Sequence, residues 1–394
     1  MPIYVVGTCD TKGAELRYIR DLIKKAGKKA LLVDVSTKLH AGKVDIKPQR
    51  VAEHHPKGKT VVFSEDRGEA VTQMSIALEN FIVSQSDVEG IISAGGSGGT
   101  ALVTPAMRIL PIGIPKLMVS TVASGNVGPY VGPSDICMMY SITDIQGLNK
   151  ISRKVLGNAA HAVVGMVKAS VPEVASKPSI GLSMFGVTTP CIEGVVKALE
   201  AEFECLVFHA TGTGGQSMEK LVDSRLVKGV IDATTTEICD FLMGGVFSAG
   251  EDRLGSIIRT QLPYVGSCGA LDMVNFGAKE KVPEIYKKRQ LHVHNANVTL
   301  MRTSPGENKN IGEWIADKLN QMQGEVRFLL PLKGVSALDA EGQSFHNPEA
   351  NASLFDALDK NVVQTKKRRL IKIDHNINDR EFSMELVNQF RSIM

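Results

Sequence analysis

The sequence predicts an α/β protein made of two doubly wound domains with mainly parallel sheets, and three observations carry that prediction. The first is length. At 394 residues the chain exceeds what one ordinary hydrophobic core organises, so two domains of roughly 150–200 residues are expected. The second is the order strand, helix, strand at the N-terminus, the order that parallel sheets with right-handed crossovers require. The third is that this order restarts after a polar, proline-flanked break, so that each half has three strands ending in turns rich in Gly, Ser and Thr.

Ile3-Tyr4-Val5-Val6-Gly7-Thr8 is short and β-rich, and the polar turn Cys9-Asp10-Thr11-Lys12-Gly13 follows it. Leu16, Ile19, Leu22 and Ile23 then recur at helical spacing, and residues 29–35 form the next apolar run. A long helix is expected from about Asp66, with Val71, Met74, Leu78 and Phe81 on its apolar face. Gly90-Ile91-Ile92-Ser93 is a strand leading into Gly95-Gly96-Ser97-Gly98-Gly99-Thr100, with a helix expected from near Thr100. Residues 115–120 form another strand, ending in Thr121-Val122-Ala123-Ser124-Gly125-Asn126.

Periodicity stops around residues 171–178, which places a domain boundary there and gives domains 1–175 and 176–394. Residues 179–184 then repeat the strand pattern and lead into Phe185-Gly186-Val187-Thr188-Thr189-Pro190 and a helix carrying Ile192, Val195, Val196 and Leu199. Residues 205–208 end in His209-Ala210-Thr211-Gly212-Thr213-Gly214-Gly215, and residues 229–231 in Asp232-Ala233-Thr234-Thr235-Thr236-Glu237. Residues 262–266 end in Ser267-Cys268-Gly269-Ala270, and a last helix runs from Glu381 to Phe390.

Lysine and arginine total 45 against 42 acidic residues, a formal net charge of +3. Nothing in that balance selects an electrostatically driven nucleic-acid binder. The dense basic run Lys366-Lys367-Arg368-Arg369 is expected as a solvated entrance to the apolar residues 370–373. The uncharged stretch 90–107 is broken by glycines and Pro105, unlike a membrane helix of ~20 apolar residues. Residues 1–6 lack the basic region and small-residue cleavage site of a secretory signal. The six cysteines show no Cys-x-x-Cys spacing, so neither a zinc site nor a disulfide framework is expected. The expectation is a cytoplasmic protein that meets neither nucleic acid nor membrane.

In open parallel sheets ligands sit outside the carboxyl ends of the strands, near a topological switch point. All of these turns lie at such ends. Gly95 to Thr100 suits an anion, because glycines let backbone amides approach and a following helix adds its positive end. A tight packing turn explains the glycines equally well. The cluster lacks both the Lys-Ser/Thr of a P-loop and the Gly-x-Gly-x-x-Gly spacing of dinucleotide folds. Neighbouring turns favour a small-molecule pocket: Thr8, Asp10, Thr11 and Lys12 supply hydroxyls, a carboxylate for magnesium and a cation for phosphate. Thr121, Ser124, Gly125 and Asn126 add a third polar turn.

The second half supplies candidate substrate-binding residues: Thr188, Thr189, Thr211, Gly212, Thr234, Thr235, Ser267, Cys268 and Arg302. Each has a structural alternative. The threonines suit a helix cap, with Glu237 closing a capping box. Cys268 fits a packed small residue better than a nucleophile, and Arg302 suits a buried acid as well as an anionic ligand. Asp339 and Asp374 end apolar runs and are candidate supporting acids. His292 and His294 share one side of an extended run, but no third ligand accompanies them, so no metal site is assigned. No catalytic residue is singled out.

The strings GTCDTKGAEL, GGSGGTAL, STVASGNVGPYVG, FGVTTPCIEGV, HATGTGGQSME, DATTTEICD, GSCGALDMVNFG, VTLMRTSP and LLPLKGVSALDAEG resemble those of one uncharacterised family. Its plant and fungal relatives include the ATP-binding N-terminal region of the tomato mosaic virus resistance protein. The resemblance spans nearly the whole chain. It implies two Rossmann-like subdomains, nucleotide binding in the N-terminal one and a tendency to form a homodimer. In some relatives this region is fused to a TIM barrel. The resulting expectation is an ATP-binding enzyme, with Mg2+ as companion ion, whose first half holds the nucleotide and whose second half holds a small anionic metabolite. The alternatives are a sugar-acid enzyme without ATP chemistry and a nucleotide-stabilised regulatory dimer.

Overall fold

The computed structural model describes residues 1–38, 40, 42–169, 172 and 176–394. The chain divides into two compact units, Met1–Glu173 and Val174–Met394. The boundary expected at residue 175 lies outside the described residues.

Unit 1 runs β1 (Ile3–Gly7), α1 (Cys9–Lys25), β2 (Ala30–Asp34), α2 (Pro48–Ala52), α3 (Arg67–Val83), β3 (Gly90–Gly95), α4 (Ser97–Ile109), β4 (Lys116–Ser120), α5 (Gly128–Val131), β5 (Ile136–Tyr140) and α6 (Lys150–Lys168). Its sheet has the order β2-β1-β3-β4-β5, and every pair is parallel. Every residue of β1, β3 and β4 is buried, which explains why these strands read as continuous apolar runs rather than alternating ones. Side chains of β1 alternate between two cores. Ile3 and Val5 pack with Leu16, Ile19 and Leu156 on one face, while Tyr4 and Val6 pack with Met74, Leu78 and Leu102 on the other. Asp66 caps α3 by accepting a hydrogen bond from Glu69 N, as its place in the sequence suggests.

Unit 2 runs β6 (Ser179–Met184), α7 (Thr189–Leu199), β7 (Glu204–His209), α8 (Thr213–Asp223), β8 (Val230–Thr234), α9 (Glu237–Met243), α10 (Gly255–Thr260), β9 (Tyr264–Gly269), β10 (Met273–Phe276), β11 (Leu291–Asn295), β12 (Val298–Arg302), α11 (Pro305–Gln321), β13 (Val326–Pro331), α12 (Pro348–Asn361), β14 (Arg368–Ile373) and α13 (Arg380–Ile393). The main sheet has the order β14-β13-β9-β8-β6-β7, again parallel throughout. Counted within each unit, both sheets follow the order 2-1-3-4-5, and β14 extends the second by one strand. Both are doubly wound, Rossmann-like α/β sheets. The switch point lies between the first and third strands of each unit, where successive crossovers leave on opposite faces.

Several local expectations change. The helix after the glycine cluster begins at Ser97, so Gly98 and Gly99 occupy its first turn. β9 continues to Gly269, which places Ser267 and Cys268 inside a buried strand instead of a turn. A three-stranded antiparallel sheet, β10-β12-β11, is inserted between β9 and β13, and the extended run carrying His292 and His294 is its edge strand β11. The basic run is not wholly solvated. Arg368 is buried, and its guanidinium donates to the carbonyls of Asn320, Met322 and Val363. Among the described residues no helix is long and apolar enough to cross a membrane.

Candidate functional site

At the switch point of unit 1 the turns after β1 and β3 diverge around a cavity of about 370 Å³. Its walls include Thr8, Asp10, Thr11 and Lys12 from the first turn and Gly95 to Gly99 from the second. The turn after β1 is tightly built. Thr11 N and Lys12 N donate to Thr8 O, the Thr8 and Thr11 hydroxyls lie 3.0 Å apart, and α1 kinks at Lys12. The base of the turn is fixed from β2: Asp34 stands opposite Gly7 in the sheet and accepts from Cys9 N at 3.1 Å. Burial and the charge of Asp34 push the Cys9 thiol up to about 12, so it is no nucleophile near neutrality.

The turn after β3 behaves differently. Gly96 is the N-cap of α4, and no side chain caps the helix. The first-turn amides of Ser97, Gly98 and Gly99 have no carbonyl within the helix to meet. None of residues 95–99 has positive φ, so backbone conformation does not demand glycine there. Packing demands it only at Gly95, where a Cβ would stand 3.2 Å from Gly99 Cα. A Cβ on Gly98 or Gly99 would meet nothing within 4 Å, and one on Gly96 only Thr121 Oγ1 at 3.7 Å. The fold leaves the outer side of this turn open.

Four further polar or charged residues that sequence reasoning missed line the same cavity: Thr37, Lys38, Arg67 and Asp144. Three cationic side chains, Lys12, Lys38 and Arg67, thus face two carboxylates, Asp10 and Asp144. No motif marks the four added residues, which come from the connection after β2, the start of α3 and the connection after β5. Other expected members stand apart. Thr100 is buried, donates to Gly96 O and hydrogen-bonds Ser120 Oγ at 2.6 Å, so it fastens α4 to β4. Ser124, Gly125 and Asn126 form an exposed turn of their own, in which Asn126 Oδ1 accepts from Gly128 N. Thr121 sits beside Gly96 without lining the cavity.

In unit 2 the expected substrate residues are mostly fasteners. The hydroxyls of Thr188 and Thr234 bond each other at 2.8 Å across the switch point. Thr235 Oγ1 donates to Ser267 O, and Ser267 Oγ donates to Leu329 O. Thr189 and Thr211 donate to carbonyls of their own turns. Cys268 is fully buried and its thiol is pushed up by burial. Glu237 closes no capping box. Instead its Oε1 accepts from Gly212 N at 2.7 Å and Gly215 N at 3.0 Å. The second glycine loop therefore already holds an anion, the protein's own carboxylate.

Glu237 belongs to a buried ionic cluster. Arg253 donates from Nε to Glu237, from Nη1 to Glu219 and from Nη2 to Asp232, at 2.9, 3.1 and 2.7 Å. Burial pushes the carboxyls of Glu219 and Glu237 up, and the Arg253 charge opposes it. Glu219 in turn accepts from Leu254 N and Ser256 N, so the cluster ties α8, β8 and α10 together.

Arg302 is equally engaged. Its guanidinium donates to Phe345 O, Thr303 Oγ1, Asp339 Oδ1 and Asn351 Oδ1 at 2.7–3.0 Å, leaving nothing for a substrate. Burial and the neighbouring Asp339 push the Asp272 carboxyl up to about 7. Arg302→Ala is therefore expected to cost roughly 3–5 kcal/mol by leaving Asp339 buried and unpaired. Differential scanning calorimetry reads this as a sharp fall in Tm, and an unchanged Tm would return Arg302 to the list of ligand-binding residues. Asp374 pairs with Lys333 at the surface. His292 packs edge-on against Phe345, and among the described residues no group of three His, Cys, Asp or Glu is placed to hold a metal ion.

Known proteins bear on this architecture as follows. The model described as "Uncharacterised protein family (UPF0261) N-terminal domain" matches residues 1–172, and its "C-terminal domain" counterpart matches residues 177–394. A UPF0261 protein of Rhizobium meliloti is 54% identical over 392 residues, covering 99% of this chain and 98% of that one. The ToMV resistance protein Tm-1 of Solanum lycopersicum is 41% identical over 420 residues, covering 99% of this chain and 55% of that protein. Among solved structures, the UDP-GlcNAc 2-epimerase of Methanocaldococcus jannaschii is 8% identical, with a TM-score of 0.23 at 100% coverage of this chain and 99% of that one; at that score it carries no argument about function. The two domain models and the extent of these identities show that the chain belongs to the uncharacterised protein family UPF0261.

Proposed function

We propose that unit 1 binds a nucleotide, ATP with Mg2+ fitting the site best, and that the protein is an enzyme acting on a small anionic metabolite. One observation carries the reading: Gly98 and Gly99 are glycine where neither backbone angle nor packing requires it, at an uncapped helix start beside three cationic side chains. Two glycines in a helical turn cost stability relative to alanine, and close approach of phosphate oxygens to the amides explains their presence. A cavity of about 370 Å³ also falls in the usual range for small-molecule sites. In this reading the amides of residues 97–99 and Lys12 hold the phosphates, and the Asp10 and Asp144 carboxylates are the protein ligands of magnesium. The ion would neutralise phosphate charge, as it does where one or two carboxylates share it with a nucleotide. A homodimer, supported by the family resemblance, and a cytoplasmic location, supported by the scattered cysteines, are part of the proposal. The sugar-acid alternative loses its anchor, because Arg302 has no free donor to offer.

Titration calorimetry with ATP-Mg, ADP and adenosine tests the site. Lys12→Ala is expected to weaken ATP by about 1.5–3 kcal/mol, the worth of a charge-assisted hydrogen bond, and to leave adenosine unaffected. Equal weakening of both would move Lys12 away from the phosphates. Phosphate release in the presence of candidate metabolites then separates an enzyme from a regulatory dimer.

A further inference from the structure

The segment after β2 lines a second cavity, of about 550 Å³, whose walls include Asp34, His40, Gly42, Lys47 and Gln49. His40 Nε2 lies 2.6 Å from Asp34 Oδ2. Asp34 is buried, and its other oxygen accepts from Cys9 N, Ser36 N and Ser36 Oγ at 3.1, 3.0 and 2.5 Å. A carboxylate surrounded by donors is an acceptor, so the proton of the His40 contact sits on Nε2. With that proton on Nε2, Nδ1 is the ring nitrogen that offers a lone pair in the neutral tautomer. Among the described residues nothing bonds Nδ1. Residue 42 is glycine where a Cβ would stand 2.8 Å from His40 Cε1 and 2.9 Å from Nδ1, so the absent side chain keeps that edge of the ring clear.

We propose that this cavity is a binding site for a small anionic molecule bearing a hydroxyl group. The hydroxyl donates to Nδ1 of His40, and the anionic group meets the exposed ammonium of Lys47. A buried carboxylate that fixes the tautomer of an imidazole facing a cavity is the arrangement used to accept a proton from a bound hydroxyl. The site is also wired to the first cavity. Ser36 Oγ donates to Asp34 and stands 3.2 Å from Asp10 Oδ1, while Asp10 N donates back to Ser36 Oγ at 3.0 Å. Ser36 has one hydroxyl proton for two carboxylates, so the second cavity is linked to a wall of the first. The second site rests on its own bonds and stands whether or not the first takes a nucleotide.

The test uses the full-length protein labelled with ¹⁵N-histidine, without nucleotide, and three probes: D-glycerate, glycerol and acetate. Glycerate combines the charge and the hydroxyl, and each of the others lacks one. Saturable movement of a single histidine Nδ1 resonance, absent from His40→Gln, is expected with glycerate. Glycerol and acetate should bind at least about tenfold more weakly, and Lys47→Ala should weaken glycerate roughly ten- to hundredfold. Lys47 is exposed, so this variant keeps the fold. An Nδ1 resonance unmoved by glycerate overturns the proposal. So does acetate or glycerol binding as tightly as glycerate, or a Lys47→Ala protein with unchanged affinity.

Discussion

Arg253→Ala is expected to destabilise unit 2 by roughly 3–5 kcal/mol, the cost of removing one partner from a buried ion cluster. The substitution leaves Glu219, Asp232 and Glu237 without the guanidinium that each of them contacts. Urea denaturation at pH 8 should show the midpoint falling, and the deficit should shrink on acidification. Glu219 and Glu237 are already held above their ordinary value of 4.5 by burial. A carboxyl raised in the folded state contributes stability that is fully present below its unfolded value and lost as pH rises through the folded one. Without Arg253 these carboxyls rise further, so the variant is weakest at high pH. Arg253→Lys keeps a charge but not the three-way fork, and should fall between the two. A midpoint unchanged at pH 8 would show that the cluster does not hold the fold.

The two halves differ in how much of their chemistry the sequence reveals. Continuous apolar runs such as Tyr4-Val5-Val6 and Ile91-Ile92 identify strands covered on both faces, because burial of both faces removes the alternation that a half-exposed strand must show. Strand order is another matter. It depends on which face each crossover helix covers, and no local pattern encodes that. The turns are likewise legible as turns, but their function depends on distant partners. Gly215 meets Glu237 across 22 residues, Arg302 meets Asp339 across 37, and Thr188 meets Thr234 across 46. The sequence suggests that polar chemistry concentrates in the second half. In the structure those groups satisfy one another, and the open site lies in the first half. Lys38, Arg67 and Asp144 escape sequence reasoning for the same reason: they reach the cavity from separate segments of the chain.

The sharpest contrast is between two glycine loops that read alike. At Gly212 the backbone has φ of +82°, and a Cβ on Gly215 would stand 2.0 Å from Glu237 Oε2. These glycines serve the fold. Gly98 has neither constraint, so its replacement separates binding from folding. Gly98→Ala should stabilise unit 1 by up to about 1 kcal/mol, since alanine is the better helix former. Gly98→Val should keep the fold yet weaken ATP by roughly 3 kcal/mol or more, its branched side chain standing where two amide-to-phosphate hydrogen bonds of about 1.5 kcal/mol each would form. Gly215→Ala is the reciprocal control: it should lower Tm by displacing Glu237 and leave ATP affinity unchanged in the folded fraction. Calorimetric titration beside thermal melts of the three variants measures both quantities. A folded Gly98→Val protein that binds ATP as tightly as the parent would reduce the first loop to a packing turn. The same loss of affinity in Gly215→Ala would show that the two loops do not divide as their geometry indicates. An anion held by the amides of residues 97–99 requires the Gly98 variants alone to respond, because at the second loop Glu237 already occupies the place a phosphate would take.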